Sequence, residues 1–345
     1  MTLASRVIRW QRLHGRHGLP WQGTRDPYRV WLSEVMLQQT QVSTVLNYYP
    51  RFVDQFADVQ ALAAAPLDDV LALWSGLGYY SRARNLHRCA QAVVAVHGGE
   101  FPRSSAALAS LPGIGRSTAA AIAAFCFGER AAILDGNVKR VLARVFGFAD
   151  DLAQSSNERA LWRLAEGLLP KRDIDIYTQG LMDLGATVCT RSKPDCARCP
   201  LQTDCVGFRE GTPERYPLKT RKLKRGQRAH ALLWLVRGNQ LWLVQRPDRG
   251  VWARLWSMPE FDSPQALRKF TSAWPGQSED LPAIEHALTH FDWTLQPLRH
   301  TLPVRLGAAR LAAIAQGLGE GRWVSAEDAL KMGLPAPIRR LLSAA

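Results

Sequence analysis

The stretch Leu111-Pro112-Gly113-Ile114-Gly115-Arg116-Ser117 decides how the first two thirds of this chain fold. Residues Ala106–Ser110 before it are helical in character, and an alanine-rich helix begins at Ser117. Two glycines two positions apart permit a tight turn whose backbone N–H groups face outward. At a helix N-terminus such donors hold a phosphate without any side-chain charge. A Gly-x-Gly between helices is by itself an ordinary connection. The motif Leu134-Asp135-Gly136-Asn137 adds weight, because Asp135 lies 20 residues beyond Gly115, the span of the intervening helix, and falls at the N-cap of the next one.

Working outward, the pattern to about residue 206 is helical. Arg29–Val45, Pro66–Leu73, Ala83–Val96, Ser117–Phe127 and Asn137–Phe146 carry apolar residues at three-to-four spacing, punctuated by Gly and Pro. Between Arg215 and Arg228 no acidic residue occurs, while Lys219, Arg221, Lys222, Lys224, Arg225 and Arg228 do. This stretch reads as an exposed linker, either simply solvated or lying along phosphates. After Ala229 the pattern turns strand-like, with Ala229–Val236 and Leu241–Gln245 joined by Gly238-Asn239, a two-residue hairpin turn. Ala308–Gln316 and Ala326–Met332 are helix-like. The expected layout is an all-α domain over 1–210, a basic linker over 211–228 and an α+β domain over 229–345. Two domains suit the 345-residue length.

Lys and Arg outnumber Asp and Glu by 44 to 30, a net charge of +14. That surplus favours polyanionic partners through counterion release, whether DNA, ribosomal RNA or an acidic membrane surface. No apolar run is long enough to span a bilayer, and the first residues carry no export signal. A cytoplasmic protein is expected. Four of the six cysteines, Cys189, Cys196, Cys199 and Cys205, crowd into 17 residues. In a reducing compartment that grouping means metal ligation rather than disulfides. Four thiolates suit Zn²⁺ or an iron–sulfur cube equally well on ligand chemistry alone.

A second carboxylate stands in Trp31-Leu32-Ser33-Glu34-Val35-Met36-Leu37-Gln38-Gln39-Thr40-Gln41-Val42, read as one continuous helix. Glu34, Gln38 and Gln41 share one face and Leu32, Val35, Met36, Gln39 and Val42 another. With Val30, Trp31 and Leu37 as neighbours, Glu34 sits where desolvation disfavours its charge, as a general acid requires.

These motifs together resemble the adenine DNA glycosylase (MutY) family along nearly the whole chain. The 6-2-5 cysteine spacing is similar to the cluster loop of the endonuclease III and MutY glycosylases, which implies a [4Fe–4S] cluster on Cys189, Cys196, Cys199 and Cys205. The segment 111–117 resembles the helix–hairpin–helix, with Gly113 and Gly115 against DNA. Where the endonuclease III branch carries a Schiff-base lysine, this chain has Ser117, which cannot form an imine. Asp135-Gly136-Asn137 also resembles the adenine glycosylases rather than the Asp-Thr-His of that branch.

The resemblance implies cleavage of the N-glycosidic bond of adenine mispaired with 8-oxoguanine or guanine in double-stranded DNA. Glu34 would protonate N7, because adenine leaves poorly as an anion, and Asp135 would stabilise or trap the oxocarbenium-like sugar, as in retaining glycoside hydrolysis. Asn137 would orient Asp135 or the attacking water. The base must leave the duplex to meet Glu34. Gly76-Leu77-Gly78-Tyr79-Tyr80 resembles the family's intercalating loop with Tyr79 as the wedge, and Gln38 and Gln39 match residues that probe the vacated space. Trp21, Gln22 and Asp183 match the adenine pocket, while Arg82 and Arg84 are expected to meet phosphate.

From His230 to Pro337 the pattern resembles the Nudix-like lesion-recognition domain, including Gly250-Val251-Trp252, Trp256 and Pro259. Ser263–Phe270 carries no glutamate, so metal-dependent nucleotide hydrolysis is not expected. Leu288-Thr289-His290 stands where the family has Phe-Ser-His, which points Thr289 and His290 at the oxidised guanine. The expectation is therefore a monomeric, monofunctional glycosylase of the bacterial nucleoid. Its architecture is an all-α helix–hairpin–helix domain with an iron–sulfur loop followed by an α+β Nudix-like domain. The alternatives are an endonuclease III-like pyrimidine glycosylase/lyase and a non-catalytic DNA-binding protein on the same scaffold. Serine at 117 disfavours the first, and the presence of both Glu34 and Asp135 disfavours the second.

Overall fold

A computed structural model describes residues 1–218, 220 and 224–344. The basic residues Lys219, Arg221 and Lys222 of the expected linker lie outside these. Contacts divide the chain into two units, residues 1–64 with 85–222 and residues 65–84 with 223–345.

The first unit is helical. Val7, Trp10, Leu134, Val138, Leu142, Leu161, Tyr177 and Leu181 form much of its core. Its central helix, Arg116–Phe127, is alanine-rich, and Ala119 through Ala124 are all buried. Alanine combines the highest helix propensity with the smallest side chain, which lets neighbouring helices approach closely. The helix stops where Gly128 turns left-handed and its N–H reaches back to Ala123 and Ala124 carbonyls. Gly136–Phe146 follows, capped at its start by Asp135 and at its end by left-handed Gly147.

One helix departs from the sequence reading. The expected Arg29–Val45 helix is two helices, Pro27–Leu37 and Val42–Gln55. Gln38 is extended and Gln39 takes a left-handed φ of 57°. No Gly or Pro marks the break, so periodicity runs straight through it. Gln38 and Gln41 are therefore not on one continuous helix with Glu34, yet all three line the same cleft.

Among the described residues the second unit is built on an eight-stranded mixed sheet. Its strands are β1 (Gly226–Arg237), β2 (Gln240–Gln245), β3 (Trp256–Ser257), β4 (Glu260–Phe261), β5 (Gln277–Asp280), β6 (Ile284–Ala287), β7 (Phe291–Leu302) and β8 (Gly321–Ser325). β1 and β7 run parallel over their full lengths, from Gly226 opposite Phe291 to Arg237 opposite Leu302. β1 and β2 close on Gly238-Asn239, with Arg237 opposite Gln240 and Gly238 at φ 58°. Helices Pro264–Thr271 and Ala308–Gly317 supply Leu267 and Ile314 to a core with Ala231, Leu233, Leu235 and Leu298.

Residues 65–84, which the sequence division leaves inside the helical domain, pack with this sheet unit. Asp68 accepts bonds from Gln245 Nε2 and Trp256 Nε1, both at 3.0 Å, and the Tyr80 hydroxyl donates to the Leu334 carbonyl at 2.9 Å. These partners are more than 170 residues away in sequence, a separation that local pattern cannot reveal. No helix among the described residues is long and apolar enough to cross a membrane.

Candidate active site and cysteine cavity

A cleft of about 1370 Å3 opens in the helical unit and contains both carboxylates, Glu34 and Asp135, along its lining. Glu34 arrives on the Pro27–Leu37 helix, which Asp26 caps by accepting the Tyr28 N–H at 2.9 Å, with Pro27 preset for the first turn. The helix is anchored by Trp31, Leu32 and Met36, all fully buried. The Glu34 carboxyl reaches the cleft from this apolar base. Burial pushes it up to about 7, with the nearby Asp135 charge adding to the effect.

Asp135 is held differently. Its Oδ1 accepts the Val138 N–H at 2.8 Å as a helix cap, and its Oδ2 accepts from Asn137 Nδ2 at 3.2 Å. Burial raises this carboxyl, but the Val138 and Asn137 donors oppose the rise. Burial thus raises both acids in the cleft, Glu34 with no hydrogen-bond donor opposing the rise and Asp135 with donors that hold part of it back.

The backbone around Asp135 is fixed from both sides. Ser117 Oγ accepts the Leu134 N–H at 3.0 Å. Arg140 donates to Asn137 Oδ1 (2.9 Å), the Gly185 carbonyl (2.6 Å) and the Cys189 carbonyl (2.7 Å). Position 185 must be glycine, since a Cβ there would fall 2.6 Å from Asn137 Cβ.

Trp21 lines the cleft and packs edge-on against Tyr49 at 5.5 Å. Gln22 also lines it, but its amide is engaged with the Leu19 N–H and the Arg16 carbonyl. Gln38 and Gln39 border the cleft, Gln38 reaching the Thr118 hydroxyl at 3.4 Å. Asp183 does not line the cleft. It is fully buried and receives Arg16 through its backbone N–H (2.9 Å) and Nε (2.7 Å), together with Gln179 Nε2 (2.9 Å). Arg16 and Gln179 are the cleft-lining groups there, and sequence reasoning missed both. The four-residue spacing of Gln179 and Asp183 was a usable signal, whereas Arg16 comes from 167 residues away and left none.

At the hairpin, Gly113 has φ 77° and a Cβ would meet Asn85 Cβ at 2.6 Å, so only glycine fits. Gly115 is the N-cap of the Arg116–Phe127 helix and faces open space. Arg116 itself turns away to pair with Glu166 and stack on Trp162, 3.9 Å from the ring centre.

The four clustered cysteines line a second, small cavity together with Arg144. Arg144 is 2% exposed and directs Nη1 at Cys189 Sγ (3.4 Å) and at the Thr190 carbonyl (2.7 Å). Burial pushes the Cys196, Cys199 and Cys205 thiols up, Cys199 to about 12, and the neighbouring cysteines push further. Four sulfurs lining one cavity would need a bound cation to give up their protons, and a soft, all-sulfur donor set would suit zinc or an iron–sulfur cluster. Among the described residues no three or more His, Cys, Asp or Glu side chains group around a single metal ion. Arg191, Lys193 and Arg198, between the ligands, are exposed.

In the sheet unit Tyr79 is 51% exposed at φ 48°, and its hydroxyl lies 3.3 Å from Thr289 Oγ1. Thr289 and His290 are exposed in the turn between β6 and β7. The expected phosphate contacts of Arg82 and Arg84 are not what the structure gives them. Arg82 is buried against the Leu77 and Gly78 carbonyls, and Arg84 donates to the Ala253 carbonyl at 3.0 Å. His286 faces Trp252 and His300 bonds Ser278 (2.8 Å), both as sheet residues. The helix Pro264–Thr271 carries no carboxylate.

Residues 32–166 match the family of HhH-GPD superfamily base excision DNA repair proteins, and residues 230–344 match the NUDIX domain. A solved thermostable thymine-DNA glycosylase is similar at 31% identity with a TM-score of 0.54, covering 60% of this chain and 95% of that one. Helical glycosylase unit and NUDIX unit together define a base excision repair DNA N-glycosylase. The adenine DNA glycosylase of Buchnera aphidicola from Schizaphis graminum is 33% identical over 97% of this chain and 96% of its own. The human adenine DNA glycosylase is 33% identical over 91% of this chain and 68% of its own. The chain belongs to the adenine DNA glycosylase family.

Proposed function

We propose that this enzyme removes adenine from mispairs with 8-oxoguanine or guanine in double-stranded DNA, with Glu34 and Asp135 as its catalytic pair. The observation that carries the reading is the convergence of two unlike carboxyls on one cleft. Glu34, protonated near neutral pH, gives its proton to adenine N7 as the C1′–N9 bond breaks, so the base leaves neutral. Asp135, its oxygens fixed by the Val138 and Asn137 donors, serves in this reading as the carboxylate that faces the cationic sugar. Glu34, now ionised, accepts a proton from the attacking water, which closes the cycle. Asn137, held by Arg140, orients Asp135.

The base reaches this cleft only after extrusion from the duplex. The Gly115 helix terminus supplies outward N–H groups for a phosphate, Tyr79 wedges into the stack, and Thr289 with His290 reads the oxidised guanine. Trp21, Gln22, Gln38 and Gln39, with Arg16 and Gln179 in place of Asp183, bound the adenine. Cys189, Cys196, Cys199 and Cys205 would hold a [4Fe–4S] cluster, whose four iron–thiolate bonds would tie the basic loop into one fixed shape. The enzyme would work in the cytoplasm with the nucleoid, as a monomer.

The test compares duplexes with adenine opposite 8-oxoguanine, adenine opposite guanine, and thymine glycol, each with and without alkali, and with borohydride trapping. Adenine release needing alkali for strand scission, and no trapped adduct, is the expected result. Scission and trapping on thymine glycol would instead establish the endonuclease III-like chemistry.

A further inference from the structure

The Gly76–Tyr79 loop is an unusual piece of backbone. Gly76 (φ 107°), Gly78 (φ 71°) and Tyr79 (φ 48°) all adopt left-handed conformations. Two of these are glycines that take the conformation freely, but tyrosine carries a Cβ that opposes it. A strained residue persists only where its surroundings over-determine it. Tyr79 is half exposed; its hydroxyl touches Thr289 at one end, and the remaining restraint comes from the backbone and the side chains beneath the ring.

Arg82 supplies it. One guanidinium nitrogen donates to the Leu77 carbonyl (3.1 Å) and the Gly78 carbonyl (3.2 Å). The guanidinium lies 5.2 Å from the Trp74 ring centre and 5.6 Å from that of Tyr79. The Arg82 backbone N–H closes the loop onto the Tyr79 carbonyl at 2.8 Å, and Trp74 Nε1 also reaches the Gly78 carbonyl at 3.1 Å. Burial pushes the guanidinium down to about 10, so it is still charged at neutral pH. Lysine in its place would bring a point charge without the planar fork or the stacking face.

We propose that Arg82 is a positioning residue that locks the Gly76–Tyr79 loop in its strained conformation, so that Tyr79 meets the duplex as a preformed wedge. This rests on the reading of Tyr79 as the wedge. An ordered wedge saves the ordering cost at the moment of insertion, so its loss slows base extrusion and leaves the later proton transfer alone.

The test uses the full chain and a duplex with 2-aminopurine beside the target adenine opposite 8-oxoguanine. Stopped-flow fluorescence reads extrusion, and single-turnover assays read adenine release and its pH profile. Arg82→Met should slow extrusion at least tenfold, Arg82→Lys should fall between it and the wild type, and the pH dependence of the release step should not move. In a Tyr79→Ala background Arg82→Met should add nothing further. Equal slowing with and without Tyr79, or unaltered extrusion in a folded Arg82→Met or Arg82→Lys protein, would overturn the assignment. Unchanged extrusion in Tyr79→Ala alone would remove the wedge reading, and this proposal with it, while leaving the carboxylate pair untouched.

Discussion

Replacing Glu34 by glutamine tests the acid and its environment together. The carboxyl rises from 4.5 to about 7 in the folded chain, which at 1.36 kcal/mol for each tenfold step in acidity corresponds to about 3 kcal/mol. The sign follows from linkage. The folded state holds this proton more tightly than the unfolded state, so the associated stability is complete below pH 4.5 and lost as pH rises through about 7. Above pH 8 the native protein carries a desolvated carboxylate that glutamine would not have. Glu34→Gln should therefore be more stable than wild type by up to about 3 kcal/mol at pH 8.5 and nearly equal to it at pH 4.5. Denaturant titrations at the two pH values measure this directly. The same substitution removes the proton donor, so adenine release should fall by at least the roughly 10²–10⁴-fold that general-acid catalysis supplies. Wild-type release should decline above pH 7, where Glu34 ionises. A stability difference that does not change with pH would refute the buried-acid argument, and release within tenfold of wild type would refute the catalytic one.

Asp135→Asn keeps a side-chain oxygen for the Val138 N–H, so stability should change by less than about 1 kcal/mol while adenine release is lost and lesion binding persists; a large drop in melting temperature would show that the carboxylate is chiefly structural. Cys199→Ser should lose visible absorption, bound iron and duplex affinity together, as read by absorption spectra and gel shift. Metal analysis finding zinc in the wild type would replace the cluster. Thr289→Ala should lower the ratio of release opposite 8-oxoguanine to release opposite guanine, the contact with Tyr79 being lost at the same time, and an equal ratio would take Thr289 out of lesion reading. Arg254 sits at φ 66°, so Arg254→Gly should raise stability by about 1 kcal/mol, and a fall would mean that its bond to Asp248 outweighs the backbone strain.

The sequence by itself determined the elements whose cause is local. The Asp135 cap, the Gly113 turn, the Gly238-Asn239 hairpin and the ends of the alanine-rich helix all follow from a few adjacent residues and their allowed backbone angles. The four cysteines could be singled out because their chemistry needs close spacing. Tertiary structure alone decided the rest. The break at Gln38-Gln39 carries no punctuating residue and shows only in the left-handed backbone of Gln39. Asp183 could not be read as the partner of Arg16, nor residues 65–84 as part of the sheet unit, since those bonds join positions far apart in the chain. Arg82 and Arg84 looked like surface cations because charge is a sequence property, whereas burial against particular carbonyls is set by packing. Hydrophobic pattern and turn chemistry act over a few residues; the convergence of Glu34 and Asp135 on one cleft depends on how whole helices meet.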